Sequence, residues 1–291
     1  MSVAVTDRTG RPGPLWVVPA LAFFALFALL PLVLVVYLSL TSWDAVGDPE
    51  FIGLGNWSRA FGDGELAHSL KLSAVLTVMG WAMQTPIALG LGVWTAGLQR
   101  SRGAAAAIFF VPWILSGAAV ALIFQTLMNP NFGLPVLGDL DLLGHPGRAL
   151  LAVALVTTWQ FVPLHTLIYQ SGARQIPKVL YDAATIDGAT RFQQLYKITI
   201  PQLRNTIVTS SVLMIVGAMT YFETVLILTH GGPGDATAVL PFRMYSQGFE
   251  AFEMGYASAI AVGLVLIGTA LSLLIVRVSG YGKMRSTLEG L

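Results

Sequence analysis

From Leu15 to Leu40 the chain reads LWVVPALAFFALFALLPLVLVVYLSL, without one charged side chain. About 20 apolar residues cross a hydrocarbon core of roughly 30 Å as a helix. Inside lipid every backbone N–H and C=O must find its partner within the protein, so a run of this kind has few folds open to it. A signal peptide carries a shorter apolar stretch, about 7 to 15 residues, and ends at a small-residue cleavage site. This run leads instead into SLTSWD, whose Trp43 suits a membrane interface.

The pattern recurs along the chain. Apolar runs at about 15–40, 72–98, 104–126, 149–171, 206–228 and 255–276 predict six transmembrane helices, and Glu223 is the one charged residue that falls within them. Charged residues make up 11% of the 291, where soluble domains carry about 25%. The fold class read from this is an all-α integral membrane protein. Its domains are a 1–14 tail, a 15–276 transmembrane domain and a 277–291 tail. A net charge of +1 leaves no basic surplus for phosphate contacts, so nucleic acid is not an expected partner. Cys is absent, which excludes disulfides, thiolate nucleophiles and Cys-based metal sites.

Lys and Arg in the connections orient the spans. Twelve of the sixteen lie on one side: Arg8, Arg11, Arg100, Arg102, Arg174, Lys178, Arg191, Lys197, Arg204, Arg277, Lys283 and Arg285. Arg59, Lys71, Arg148 and Arg243 lie on the other. Both termini are therefore expected in the cytoplasm, with 41–68 as a polar, Gly-rich outer loop. Within that loop Asn56-Trp57-Ser58 fits a glycosylation triplet, a pattern that chance supplies often.

The longest internal connection, 172–204, contains YDAATIDGATRFQQLYKITIP at 181–201. Pro177 is placed to open a helix, where a missing N–H costs nothing. Asp187-Gly188 reads as a stop, with Gly supplying the left-handed conformation after the last turn. Thr190 with Gln193 matches a capping box for a second helix through about Lys197, and Pro201 closes the segment. Apolar Leu180, Tyr181, Ala184, Phe192 and Leu195 suit either an amphipathic pair lying on the membrane or a docking element approached by another protein.

The order Asp182-Ala183-Ala184, Asp187-Gly188-Ala189 and Pro201 resembles the cytoplasmic signature loop of binding-protein-dependent ABC importer permeases. Asp182 stands where that family usually has Glu, and Leu195 where an aromatic residue is common. VVPALAFFALFALLPLV, YLSLTSWD and FIGLGNW are similar to the first third of maltose-type and glycerol-phosphate-type sugar permeases, as are LILTHGGPGDAT and FEMGYASAIAV further on. The resemblance covers nearly the whole chain. It implies a type I importer transmembrane domain in the bacterial cytoplasmic membrane, surrounded by lipid. The implied partners are a second permease subunit, two ATPase subunits and an extracytoplasmic solute-binding protein. It assigns ATPase coupling to the 178–197 helical loop, leaves ATP and Mg to the partner ATPase, and gives this chain no cofactor of its own. The chain has no Gly-x-x-x-x-Gly-Lys-Ser/Thr run to cradle phosphate and no metal-ligand spacing among its four His, so no catalytic or metal residue is expected.

Polar side chains at membrane depth are costly and become candidates for function. Glu223 reads either as a helix-to-helix link or as a sugar-contacting or gating group. Gln84, Trp159, Gln160 and Tyr221 have the amide, hydroxyl and ring chemistry that holds sugars, and equally suit interhelical packing. His165 is expected neutral and hydrogen-bonded. Pro86, Pro112 and Pro163 are expected to break their helices. The alternatives to a sugar permease are a permease for another solute, such as an amino acid or phosphonate, and a self-contained carrier or channel.

Overall fold

A computed structural model describes residues 17–97, 107–138 and 140–279. The whole expected 1–14 tail, the 277–291 tail from residue 280 on, and Arg100 and Arg102 lie outside the described residues, and with the tails Arg8, Arg11, Lys283 and Arg285. The helices follow the apolar runs because a helix satisfies its own backbone in lipid. α1 is Val18–Leu38, with a π turn at Ala25–Leu29. A short antiparallel pair follows, β1 Thr41–Ser42 on β2 Glu50–Phe51, with Thr41 opposite Phe51. Next come α2 Gly55–Gly62, α3 Gly64–Thr95, α4 Ala107–Ile114, α5 Gly117–Leu127 and the single turn α6 Pro135–Gly138. The rest is α7 Pro146–Arg174, α8 Lys178–Ile186, α9 Arg191–Gln194, α10 Arg204–Ala218, α11 Phe222–Leu228, α12 Leu240–Tyr245 and α13 Met254–Ser279.

Among the described residues four helices are long and apolar enough to cross a membrane: α1, α3, α7 and α13. The expected third and fifth spans are each broken in two. α4 and α5 meet at 98°, α10 and α11 at 50°, and six crossings result only if each bent pair is one span. Proline does not mark these breaks. Pro86 and Pro163 sit inside the uninterrupted α3 and α7, and Pro112 opens the last turn of α4 three residues before the chain bends. At the first bend Leu115 and Ser116 are extended (ψ 142° and 148°), and the Ser116 hydroxyl accepts from the Ala119 N–H at 3.2 Å to start α5. At the second, the Thr220 hydroxyl donates to the Gly217 carbonyl at 2.7 Å and competes with the helical ladder.

Two prolines are absorbed by π turns. Leu195–Thr199 precedes Pro201 as Ala25–Leu29 precedes Pro31, and the Ile200 and Leu30 N–H groups reach back five residues, to Leu195 and Ala25. Pro201 therefore does not close the segment. Helix continues through Ile200–Gln202, and the chain turns at Leu203 instead.

Other expected boundaries also move. α3 starts at Gly64, eight residues before the apolar run, because Asp63 accepts from the Glu65 and Leu66 N–H groups at 2.8 and 3.2 Å and caps it. Asn56 is 7% exposed and donates its amide to the Ser39 and Thr41 carbonyls, so it is a buried structural tie with no place for a glycan.

The core lies where α3, α5, α7 and α11 meet, around Leu76, Val120, Val153, Val156, Tyr221 and Val225. α3 and α7 pack closely: a Cβ at Gly92 would fall 2.7 Å from Tyr169 Cβ and 2.9 Å from the Thr166 carbonyl oxygen. α1 buries no residue and leans on α13. Connections sort to two faces. On one, Tyr256 of α13 donates to Asp63 (2.6 Å), Arg59 pairs with Glu253 (2.6 Å), and Arg243 reaches Glu65 and Asp235 (3.2 and 3.1 Å). On the other, Arg204 donates to the Ser279 carbonyl at 2.9 Å, beside the 172–204 loop.

Candidate functional sites: the helical loop and the broken spans

The loop has the local structure its residues dictate. α8 begins one residue after Pro177 and ends at Asp187; Gly188 then takes φ +75° with no atom within 4 Å of a Cβ placed there. Thr190 and Gln193 form the reciprocal capping box, at 2.7 and 3.3 Å. Side chains lock the two helices together. The Tyr181 and Thr199 hydroxyls meet at 2.9 Å, and the Gln194 amide donates to Thr185 Oγ1 at 3.1 Å and to the Ala189 carbonyl at 3.3 Å. Asp182, Ala183, Asp187 and Gly188 are exposed, Ala184 and Ala189 half-buried, and Pro201 lies in the short continuation of α9. Val179, Ile186, Phe192 and Tyr196 face outward, with Ile186 87% exposed. The loop is a braced, partly apolar knob.

The intramembrane candidates do not form one group. Gln84 is 1% exposed and lies beside the Tyr221 hydroxyl, with its Oε1 lacking a hydrogen-bond partner among the described residues. Tyr221 packs on Phe161 (5.2 Å between centroids), and Phe161 meets Trp113 edge-on (5.5 Å). Gln160, 5% exposed, donates to the Leu115 carbonyl at 3.5 Å. Glu223 projects from the first turn of α11 toward Gly117. Trp159 stands apart: one residue is about 100° of helical rotation, and its ring packs on Phe124, 42% exposed.

Phe161 and Trp113 belong beside Tyr221, and reading the sequence passed over both. Phe161 follows Gln160, but nothing local marks an aromatic at membrane depth as a neighbour of another span. His165 is hydrogen-bonded as expected, with Nδ1 2.9 Å from the Ser210 hydroxyl at 3% exposure.

The family profile described as "Binding-protein-dependent transport system inner membrane component" matches residues 88–280, about two-thirds of the chain. The chain belongs to this family. The permease is 34% identical over 281 residues to a Bacillus subtilis protein named "Probable ABC transporter permease protein YurN", covering 92% of this chain and 96% of that one. It is 28% identical to the trehalose/maltose transport system permease protein MalF of Thermococcus litoralis, over 95% of this chain and 96% of the other. Among solved structures, a chain of a bacterial alginate ABC transporter, in complex with a periplasmic protein bound to an alginate pentasaccharide, superposes with TM-score 0.79. The identity is 20%, with 91% of this chain and 92% of that chain covered, and the likeness is one of fold. The permease is thus an ABC importer subunit, a multi-pass protein of the inner membrane and a transport component by family.

Proposed function

We propose that this permease carries a carbohydrate across the membrane by alternating access, driven by ATP hydrolysed with Mg in two separate ATPase subunits. A second permease would complete the channel, and an extracytoplasmic solute-binding protein would deliver the sugar. The substrate class is supported by its relatives. Besides the trehalose/maltose protein, they include permeases named for multiple sugars in Streptococcus mutans and for diacetylchitobiose in Streptomyces coelicolor. Both termini and the 172–204 loop are assigned to the cytoplasm on the Lys and Arg count.

Coupling is assigned to Asp182, Ala183, Ala184, Asp187, Gly188, Ala189 and Pro201. One observation carries that assignment: a braced pair of short helices presents apolar side chains to the outside, tied across by Tyr181–Thr199 and Gln194–Thr185. A knob that keeps its shape transmits displacement, and ATP-driven movement of a partner can then bias the spans between two states. The sugar's way through is assigned to Gln84, Gln160, Tyr221 and Glu223, with Phe161 and Trp113 offering ring faces. Trp159, about 100° round α7 from Gln160, packs on Phe124 apart from this group.

Gly188→Asp tests the coupling assignment. No atom lies within 4 Å of a Cβ placed at Gly188, so substitution there costs chiefly the left-handed strain, about 1–2 kcal/mol. Expected is full membrane insertion with uptake abolished and the ATPase lost on mild-detergent purification. Normal uptake would overturn the assignment. Competition of labelled-sugar uptake by sugars, amino acids and phosphonates tests the substrate class.

A further inference from the structure

The two interruptions in the spanning helices touch each other. At the first, bending between α4 and α5 strips the Leu115 carbonyl of its helical partner, and the Gln160 amide of α7 reaches it. Two residues on, Glu223 of α11 sets its carboxylate Oε2 2.5 Å from where a Cβ on Gly117 would stand, with Gln160 Nε2 3.9 Å from the same point. Only a residue without a side chain lets the carboxylate in so close. Glu223 itself lies two residues past the second interruption, at Met219–Tyr221. Further along the same two half-helices, the Gln125 amide of α5 donates to the Ile227 carbonyl of α11 at 2.7 Å. α5 and α11 thus meet at both ends, by close approach at Gly117 and by a hydrogen bond at Gln125, each being the second half of a bent pair. Glu223 is exposed in this chain, and the backbone it meets is the start of a broken helix.

We infer that Glu223 is a positioning residue that acts through Gly117. It locks α5 and α11 into one body, so that the bends at 115–116 and 219–221 open and close together. In doing so it sets where Trp113, at the end of α4, stands against Phe161 and Tyr221. This adds a second role to the place of Glu223 on the sugar's way and rests on the importer reading: a sugar contact uses Glu223 alone, whereas a lock needs Gly117 and Glu223 as a pair.

The test uses the assembled importer in liposomes, with its ATPase and binding protein, and reads solute uptake and ATP hydrolysed per solute moved. Gly117→Ala pushes the carboxylate away while adding a good helix former. Gly117→Ala and Glu223→Ala are each expected to raise the ATP used per solute about tenfold. The double variant is expected to match either single one, because both break the same contact. Effects that multiply in the double variant, or an unchanged ratio in Gly117→Ala, would overturn the inference. A second measurement stands if those variants assemble poorly. The chain has no native Cys, so a Gln125→Cys/Ile227→Cys pair can be cross-linked cleanly between α5 and α11. Uptake that survives the cross-link supports one body; uptake lost and then restored by reductant shows the two sliding and overturns it. Absence of ATP-dependent uptake in the wild-type complex is a different result, and would defeat the importer reading itself.

Discussion

α3 and α7 cross the molecule unbroken, each with a proline inside it, while α4/α5 and α10/α11 are broken where no proline stands. The difference lies in what surrounds the backbone. Of the four unbroken spans among the described residues α7 is the most enclosed, with 61% of its most apolar stretch buried, against none for α1. Close packing of α3 on α7 through Gly92 holds both helices to their axes, so a missing ladder bond at Pro86 or Pro163 does not unseat them. At the breaks the backbone instead finds alternative partners: the Ser116 hydroxyl, the Gln160 amide and the Thr220 hydroxyl. A span breaks where something else satisfies its polar groups, and proline alone does not provide that.

This contrast can be attacked most directly at Gly92. Gly92→Leu would drive a side chain into the Tyr169 Cβ and the Thr166 carbonyl, a backbone atom that cannot swing aside. Destabilisation of about 3 kcal/mol is expected, read as a lower melting temperature and loss of the monodisperse peak in detergent. An unchanged melt would show that the α3–α7 pair is not the rigid region. A smaller effect belongs to the broken region. Ser116→Ala removes the cap of α5 and should cost about 1 kcal/mol; if the melt falls further than in Gly92→Leu, the ranking of the two regions is reversed.

The smallest effect concerns the knot on the Asp63 face. Burial alone would raise the Asp63 pKa. The Tyr256 hydroxyl, the Leu66 and Glu65 N–H groups and the nearby Arg59 together hold it below its usual value. A carboxyl whose folded pKa is depressed stabilises the fold above its unfolded value, about 3.9. That contribution is lost as pH falls through the folded value. Melting temperature should therefore drop below about pH 4, and Asp63→Asn should lessen the drop. Equal acid sensitivity in the two proteins would show that Asp63 does not carry it.

Legibility in the sequence tracked the distance over which each feature is decided. The 172–204 loop was read almost residue by residue, because Pro177, Gly188 and the Thr190/Gln193 box act within one helical turn. Even there Pro201 misled, since a π turn five residues long accommodates it. In the membrane, periodicity could not separate Trp159 from Gln160, neighbours on α7 that face different surroundings. The Asn56 triplet, a pattern that chance supplies often, is buried, and its partners are carbonyls 15 and 17 residues away.

By itself the sequence determined that the chain is a membrane protein of helices, where most apolar segments lie, and which loop carries the signature of its family. Those are matters of hydrocarbon thickness, composition and short-range caps, and no neighbour is needed to settle them. The tertiary structure alone decided that two spans are broken, that the breaks meet, and that Glu223 lies against Gly117, 106 residues away along the chain. A freed carbonyl in the membrane is tolerated only where another segment supplies its partner, and that segment is chosen by packing.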